Sequence, residues 1–282
     1  MVLVGVGALS HSIWSLAAKK ASSGGDPLSF MWSVSLLSTT LLTVPAIWIL
    51  QSDPLGWRQL LLACGVAGVI HTCYFFVMQT GYSLGDVSVL FPMARGIGPL
   101  LSVGGAILLF GESPNGVQLL GALTLICGVL LISLVGGRGG SLSPSAAAMG
   151  VATGAAIACY TLWDAFSVTR LGTNPIVQMW GTGIGVLSIT SLFVLRRPDR
   201  LRYAIARSRT SMIIAGVLGP INYTTIMFAM QLAPASLVAP SREISVVIVS
   251  LAGWLLFKEP NPVPRIIGSA VVFVGALMIA LG

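Results

Sequence analysis

Runs of about 20 apolar residues, each closed by Gly, Pro or charge, follow one another along almost the whole chain, and a helix needs a run of that length to cross a bilayer. Cut at this punctuation, the sequence gives ten spans: 2–20, 28–50, 59–83, 86–110, 116–135, 147–169, 175–195, 210–232, 234–257 and 262–281. In lipid each backbone polar group must be satisfied within its own segment, so every run reads as a helix. The connections are short except Arg196–Arg209, which leaves no room for a soluble catalytic or receptor domain. Only 8% of residues are charged against 55% hydrophobic. A water-facing surface usually needs about a quarter charged. Span 1 lacks a basic leader and a cleavage site followed by a polar chain, so it reads as a retained helix rather than a signal peptide.

The net charge of +7 does not point to nucleic acid, because no basic stretch carries interleaved aromatics for base stacking. The basic residues instead follow topology. Counting connections by the span they follow, the odd ones hold Lys19, Lys20, Arg138, Arg196, Arg197, Arg200, Arg202, Arg207, Arg209, Lys258 and Arg265, the even ones only Arg58 and Arg170. Basic residues concentrate on the cytoplasmic side, which predicts odd connections in the cytoplasm and both termini outside. Cys64, Cys73, Cys127 and Cys159 lie in apolar runs without a CxxC pair, which gives zinc or redox chemistry no support. No GxxxxGK[ST] motif is present for ATP. No cofactor is expected.

The chain also repeats itself. His11-Ser-Ile-Trp14 matches Tyr160-Thr-Leu-Trp163, and Phe30-Met-Trp32 matches Gln178-Met-Trp180. Val87-Ser-Val-Leu-Phe-Pro92 matches Ala235-Ser-Leu-Val-Ala-Pro240, and Leu108-Leu-Phe-Gly-Glu112 matches Leu255-Leu-Phe-Lys-Glu259. The offsets are 149, 148, 148 and 147, in chain order. The repeat unit holds five spans, an odd number, so the second copy enters the membrane from the opposite side. The expected fold is an all-α membrane protein of ten transmembrane helices in two inverted five-helix repeats, 1–135 and 147–282, joined by a linker at 136–146. Secondary transporters are built this way, with the site at the repeat interface.

Ala8 to Lys20 in span 1, Ala233-Pro-Ala-Ser-Leu-Val-Ala-Pro240 and Phe257-Lys-Glu259 in span 9, and Phe110-Gly-Glu112 in span 4 resemble the EamA-type members of the drug/metabolite transporter superfamily. The resemblance covers about 2–135 and 147–281. It implies ten helices, two five-helix repeats and movement of small organic solutes, often export of amino acids or related metabolites. Where such sequences commonly have Asn after the span-1 Trp, this chain has Ser15.

Ionisable groups in hydrocarbon are costly, by about 2.5–3.5 kcal/mol at a helix centre, so each intramembrane one is a candidate for function. His11, Ser15 and Lys19 form one stripe of span 1 beside Trp14; Lys19 can snorkel to the interface. Span 6 carries Tyr160, Trp163, Asp164 and Ser167 on the matching stripe. His71, Phe75, Met78 and Tyr82 share a face of span 3, bordered by Tyr74, and Asn222 and Tyr223 sit at the matching depth of span 8. Trp32 and Trp180 read either as belt residues at the headgroups or as cavity wall. Arg95 sits mid-span between Pro92 and Pro99, and span 9 answers with Pro240, Arg242 and Glu243. Arg95 aligns with Arg242 or with Glu243, depending on where the one-residue gap falls. A structural ion pair across the two halves competes here with a solute-binding role. Gly81-xxx-Gly85, Gly150-xxx-Gly154 and Gly181-xxx-Gly185 read as close packing within the bundle rather than as a dimer code, in keeping with a monomer. Glu112 and Glu259 read as hydrogen-bonding partners of neighbouring helix ends.

These readings converge on a secondary transporter of a small polar or amphipathic metabolite. The expected partners are the solute and the lipid bilayer, in the inner (plasma) membrane of a bacterium. The substrate cavity is assigned to His11, Trp14, Trp32, His71, Tyr74, Arg95, Tyr160, Trp163, Trp180, Asn222, Tyr223 and Arg242, with Asp164 and Glu243 as proton-coupling candidates. A passive channel is the alternative. An intramembrane enzyme fits less well, because HExxH and clustered catalytic groups are missing.

Overall fold

The computed structural model describes residues 2–22, 26–84, 87–136, 144–257 and 262–282. Every regular element among them is helical. The first half holds α1 (Val2–Ser22), α2 (Pro27–Ser52), α3 (Trp57–Leu60), α4 (Val66–Leu84), α5 (Val87–Phe110) and α6 (Gly116–Gly136). A π turn, Leu61–Gly65, joins α3 to α4. The second half holds α7 (Pro144–Thr169), α8 (Pro175–Val194), α9 (Pro198–Leu232), α10 (Ala235–Ser241), α11 (Ile244–Phe257) and α12 (Pro262–Leu281). Among the described residues, six stretches are long and apolar enough to cross a bilayer: Pro27–Ser52, Trp57–Gly81, Met93–Phe110, Ala147–Thr169, Pro175–Val194 and Pro198–Leu232. Val2–Ala17, Gly116–Ile132 and Ile266–Leu281 are shorter apolar helices. Linker residues 137–143, Gly85, Lys258 and Glu259 lie outside the described residues, as do the side chains of Lys19, Lys20, Tyr82, Pro92 and Arg265.

Helix starts follow local chemistry. Asp26 caps α2 by accepting from the Ser29 amide at 3.0 Å and the Ser29 hydroxyl at 2.7 Å, with Pro27 in the first turn. Asn174 caps α8 by accepting from the Ile176 amide at 2.9 Å, again with a proline next, Pro175. Two elements differ from the sequence reading. The expected long connection Arg196–Arg209 is mostly helix: α9 begins at Pro198, and a kink at Ser208 (φ −123°, ψ 19°) sets its basic first part apart from the apolar rest. Pro198 in the first turn and Asp199 behind it favour a helix start there. Span 9, in contrast, is not continuous. Pro240 has no N–H to donate, and the chain breaks at Arg242–Glu243 with tight bonds from the Glu243 amide to the Pro240 carbonyl and from the Val246 amide to the Glu243 carbonyl, both 2.9 Å.

The helices cross in a regular way. Trp32 on α2 donates to Ser191 on α8 at 2.7 Å, and Trp180 on α8 donates to Thr43 on α2 at 3.1 Å, so α2 and α8 run antiparallel. In α6 and α12, Gly121 faces Met278 and Gly128 faces Val272, again antiparallel. By contrast α5 and α7 run parallel, with Gly98 against Ile157 and Gly105 against Leu162. Small residues make these approaches possible. A Cβ on Gly68 of α4 would lie 2.8 Å from the Cα of Gly185 on α8, and one on Gly154 would lie 2.9 Å from the Cβ of Ile97.

Connections that follow even-numbered spans meet on one face. There Gln59 donates to the Leu171 carbonyl, Arg170 to the Phe110 carbonyl at 3.2 Å and Gln231 to the Val168 carbonyl at 3.1 Å. Glu112 accepts from the Ala235 and Ser236 amides at 2.8 Å each, which satisfies two orphan donors at the start of α10. The outer surface is apolar: Val44, Trp48, Leu108 and Leu109 are each at least two-thirds exposed. Water would penalise such a surface; hydrocarbon does not.

Candidate functional site

Polar side chains from α1, α4, α5, α7, α9 and the α10–α11 break converge in the interior. They form two knots. In the first, the Arg95 guanidinium donates to Glu243 Oε2 at 2.9 Å. Its other terminal nitrogen lies 3.3 Å from His11 Nε2, and His11 Nδ1 lies 3.2 Å from the Asn222 amide nitrogen. A guanidinium only donates, so Nε2 must accept and a neutral His11 carries its proton on Nδ1. That proton needs an acceptor. Turning the Asn222 amide supplies Oδ1, which is otherwise buried without a partner. His11 also stacks on Trp14, with centroids 5.4 Å apart. Glu243 is 1% exposed, and its Oε1 lies 3.8 Å from Arg242 Nε. Arg242 in turn reaches the Tyr160 hydroxyl at 3.5 Å and lies 5.8 Å from that ring's centroid.

The second knot surrounds Asp164, which is also 1% exposed. Its Oδ2 accepts from the Tyr223 hydroxyl at 2.6 Å and lies 2.8 Å from His71 Nε2. Its Oδ1 accepts from Gln178 Nε2 at 2.9 Å. Gln178 is oriented in turn by the Ser167 hydroxyl, which donates to its Oε1 at 2.7 Å. The two knots meet through rings. Tyr160 is 4.5 Å from His71, 5.1 Å from Tyr74 and 6.0 Å from Tyr223, centroid to centroid. Such offset and edge contacts form a wall of aromatic faces.

The structure thus brings together His11, Trp14, His71, Tyr74, Arg95, Tyr160, Asp164, Asn222, Tyr223, Arg242 and Glu243. Trp163 lies at the rim, where its indole donates to the Ala63 carbonyl in the π turn at 2.9 Å. Trp32 and Trp180 hold the α2–α8 crossing with the reciprocal bonds given above. Gln178 is the interior residue that the sequence reading left out: it is fully buried and an Asp164 partner. Its only signal was an amide inside an apolar run, and an uncharged amide does not stand out as an ion does. A groove of about 590 Å³ opens between α4, α5 and α7, lined among others by Ile70, Phe110, Leu162, Trp163 and Arg170. It flanks the second knot, since Ile70 precedes His71 and Trp163 precedes Asp164; Arg95, Arg242 and Glu243 do not line it.

An apolar exterior around a closed set of buried ions and rings defines an integral, multi-pass membrane protein with a polar interior. The EamA-like transporter family model matches residues 1–134 and 145–281. The chain belongs to this family, a group of membrane transporters of the drug/metabolite type rather than enzymes. Among solved structures 29 chains match. One, titled only "Crystal structure of protein", superposes with a TM-score of 0.78 at 17% identity over 99% of this chain and 96% of its own, a likeness of fold alone. No curated protein matches.

Proposed function

We propose that the protein is a secondary transporter, built from inverted five-helix repeats at 1–135 and 147–282, that moves a small polar or amphipathic organic solute by alternating access. The solute class is an amino acid or a related metabolite, and the direction is export across a bacterial inner membrane. The observation that carries the reading is the Arg95–Glu243 pair. Its partners are 148 residues apart, within the 147–149 spread of the internal sequence matches, so the pair joins matching stretches of the two proposed copies, whichever of Arg242 and Glu243 is the counterpart of Arg95. Other contacts obey the same exchange. Trp32 and Thr43 become Trp180 and Ser191 at an offset of 148, and the bonds between them are reciprocal. Antiparallel α2–α8 and α6–α12 pairs are what an axis in the membrane plane requires of copies facing opposite ways.

An ion pair on such a seam is a switch element. Rocking one copy against the other must remake it, and removal of either partner leaves a buried charge uncompensated. Asp164 is the better proton-coupling candidate of the two carboxylates, because His71 can exchange a proton with it. Glu243 is engaged by two guanidiniums, which do not release protons. The test is uptake and counterflow in liposomes over a panel of amino acids and amines, with and without a pH gradient. A transporter shows saturation and counterflow; a passive channel shows neither. Normal flux in inserted Arg95→Ala and Arg242→Ala variants would remove the site from the solute path.

A further inference from the structure

We propose that Arg242, not Arg95, receives a carboxylate on the transported solute. The inference rests on the transporter reading and narrows its solutes to anions and zwitterions with a hydrocarbon or aromatic body. The two arginines differ in commitment. Arg95 meets Glu243 at 2.9 Å and His11 at 3.3 Å. Arg242 is 8% exposed, yet its polar contacts are at 3.5 Å to Tyr160 and 3.8 Å to Glu243. Guanidinium–carboxylate bonds normally close to about 2.7–2.9 Å. A buried guanidinium with five donors and two loose contacts is under-satisfied.

Charge points the same way. Arg95, Arg242 and Glu243 together carry two positive charges and one negative. Asp164 belongs to the other knot, where its oxygens are engaged by Tyr223, His71 and Gln178. One further carboxylate would neutralise the trio and could close a bidentate pair with Arg242. The local backbone leaves room for adjustment. Arg242 and Glu243 form the break between α10 and α11, and discontinuous helices line solute sites where the chain must change shape. Tyr160, whose hydroxyl faces Arg242, carries the ring that also meets His71, Tyr74 and Tyr223. A carboxylate held by Arg242 would therefore lay its body along these rings.

The experiment uses the full chain in lipid nanodiscs and liposomes with hydrocinnamate, L-phenylalanine and phenethylamine. These share one body and differ in their charged ends. Hydrocinnamate and phenylalanine should stabilise the wild type against heat, and phenethylamine should not. Arg242→Gln should weaken both carboxylates by at least about tenfold, the loss of one charge-assisted hydrogen bond, and Arg242→Lys should weaken them less. The proposal is overturned if neither carboxylate stabilises the wild type, or if Arg242→Gln binds them as the wild type does. If Arg242→Gln does not insert, Arg242→Lys decides: weaker carboxylate binding than wild type supports the assignment, and equal binding overturns it. Saturable counterflow of phenethylamine without any carboxylate response removes the anion site and leaves the transporter standing. Absence of counterflow for every solute in the wider panel removes the transporter reading itself.

Discussion

Arg95, partly buried, and Asp164, fully buried, serve different ends, and single substitutions separate them. Arg95→Met keeps volume and removes the charge, which leaves Glu243, among the described residues, with the loose Arg242 contact at 3.8 Å. Breaking one side of a buried pair costs about 3–5 kcal/mol. The expected outcome is a marked fall in the thermal midpoint in detergent, while Arg58→Met on the exposed end of α3 leaves the midpoint unchanged. Asp164→Asn keeps the shape and loses an acceptor that three side chains share. If Asp164 carries the coupled proton, this variant retains counterflow but no longer responds to an imposed pH gradient, measured in the same liposomes. A response equal to wild type would clear Asp164 of that role.

At the scale of the element, the short α10 depends on a side chain from another helix end. Glu112 satisfies two amide donors at its start, and a carboxylate there also suits the helix dipole. Glu112→Ala should cost about 1–3 kcal/mol and make the even-connection face more open, read as faster labelling of a cysteine placed at Ser236 in a cysteine-free background. Most elements were legible in the sequence because lipid demands long apolar runs, and punctuation by Gly, Pro and charge gave their ends. The role of Glu112 was legible too, because it follows a span end at a turn. The break in span 9 was not: Pro240 is visible, but prolines in membrane helices are often absorbed without a break. The helical start of α9 was hidden because its arginines read as a loop. Pairings across the interior, such as Asp164 with Gln178, depend on crossings that a linear pattern does not encode.

At the scale of the whole molecule the two faces are chemically unequal, and that inequality bears on which of them looks into the cell. The structure gathers the even connections on one face by hydrogen bonds between Gln59 and Leu171, Arg170 and Phe110, and Glu112 and α10. The basic first part of α9, with Arg200, Arg202 and Arg207 all exposed, belongs to the connection that follows span 7, on the opposite face. Basic residues resist transfer across the membrane during insertion and so stay cytoplasmic. Single cysteines at Asn115 and at Arg202, in a cysteine-free background, test this with a membrane-impermeant maleimide on intact cells. Asn115→Cys should be labelled at once, and Arg202→Cys only after permeabilisation. The reverse pattern would turn the molecule over and place its termini inside. It would leave the proposed inverted architecture untouched, because an axis in the membrane plane exchanges the two faces and so carries no preference between them. In this reading orientation is set by the asymmetry the sequence adds to the proposed symmetric frame, and six of the eleven basic residues behind it lie at 196–209, four of them on α9.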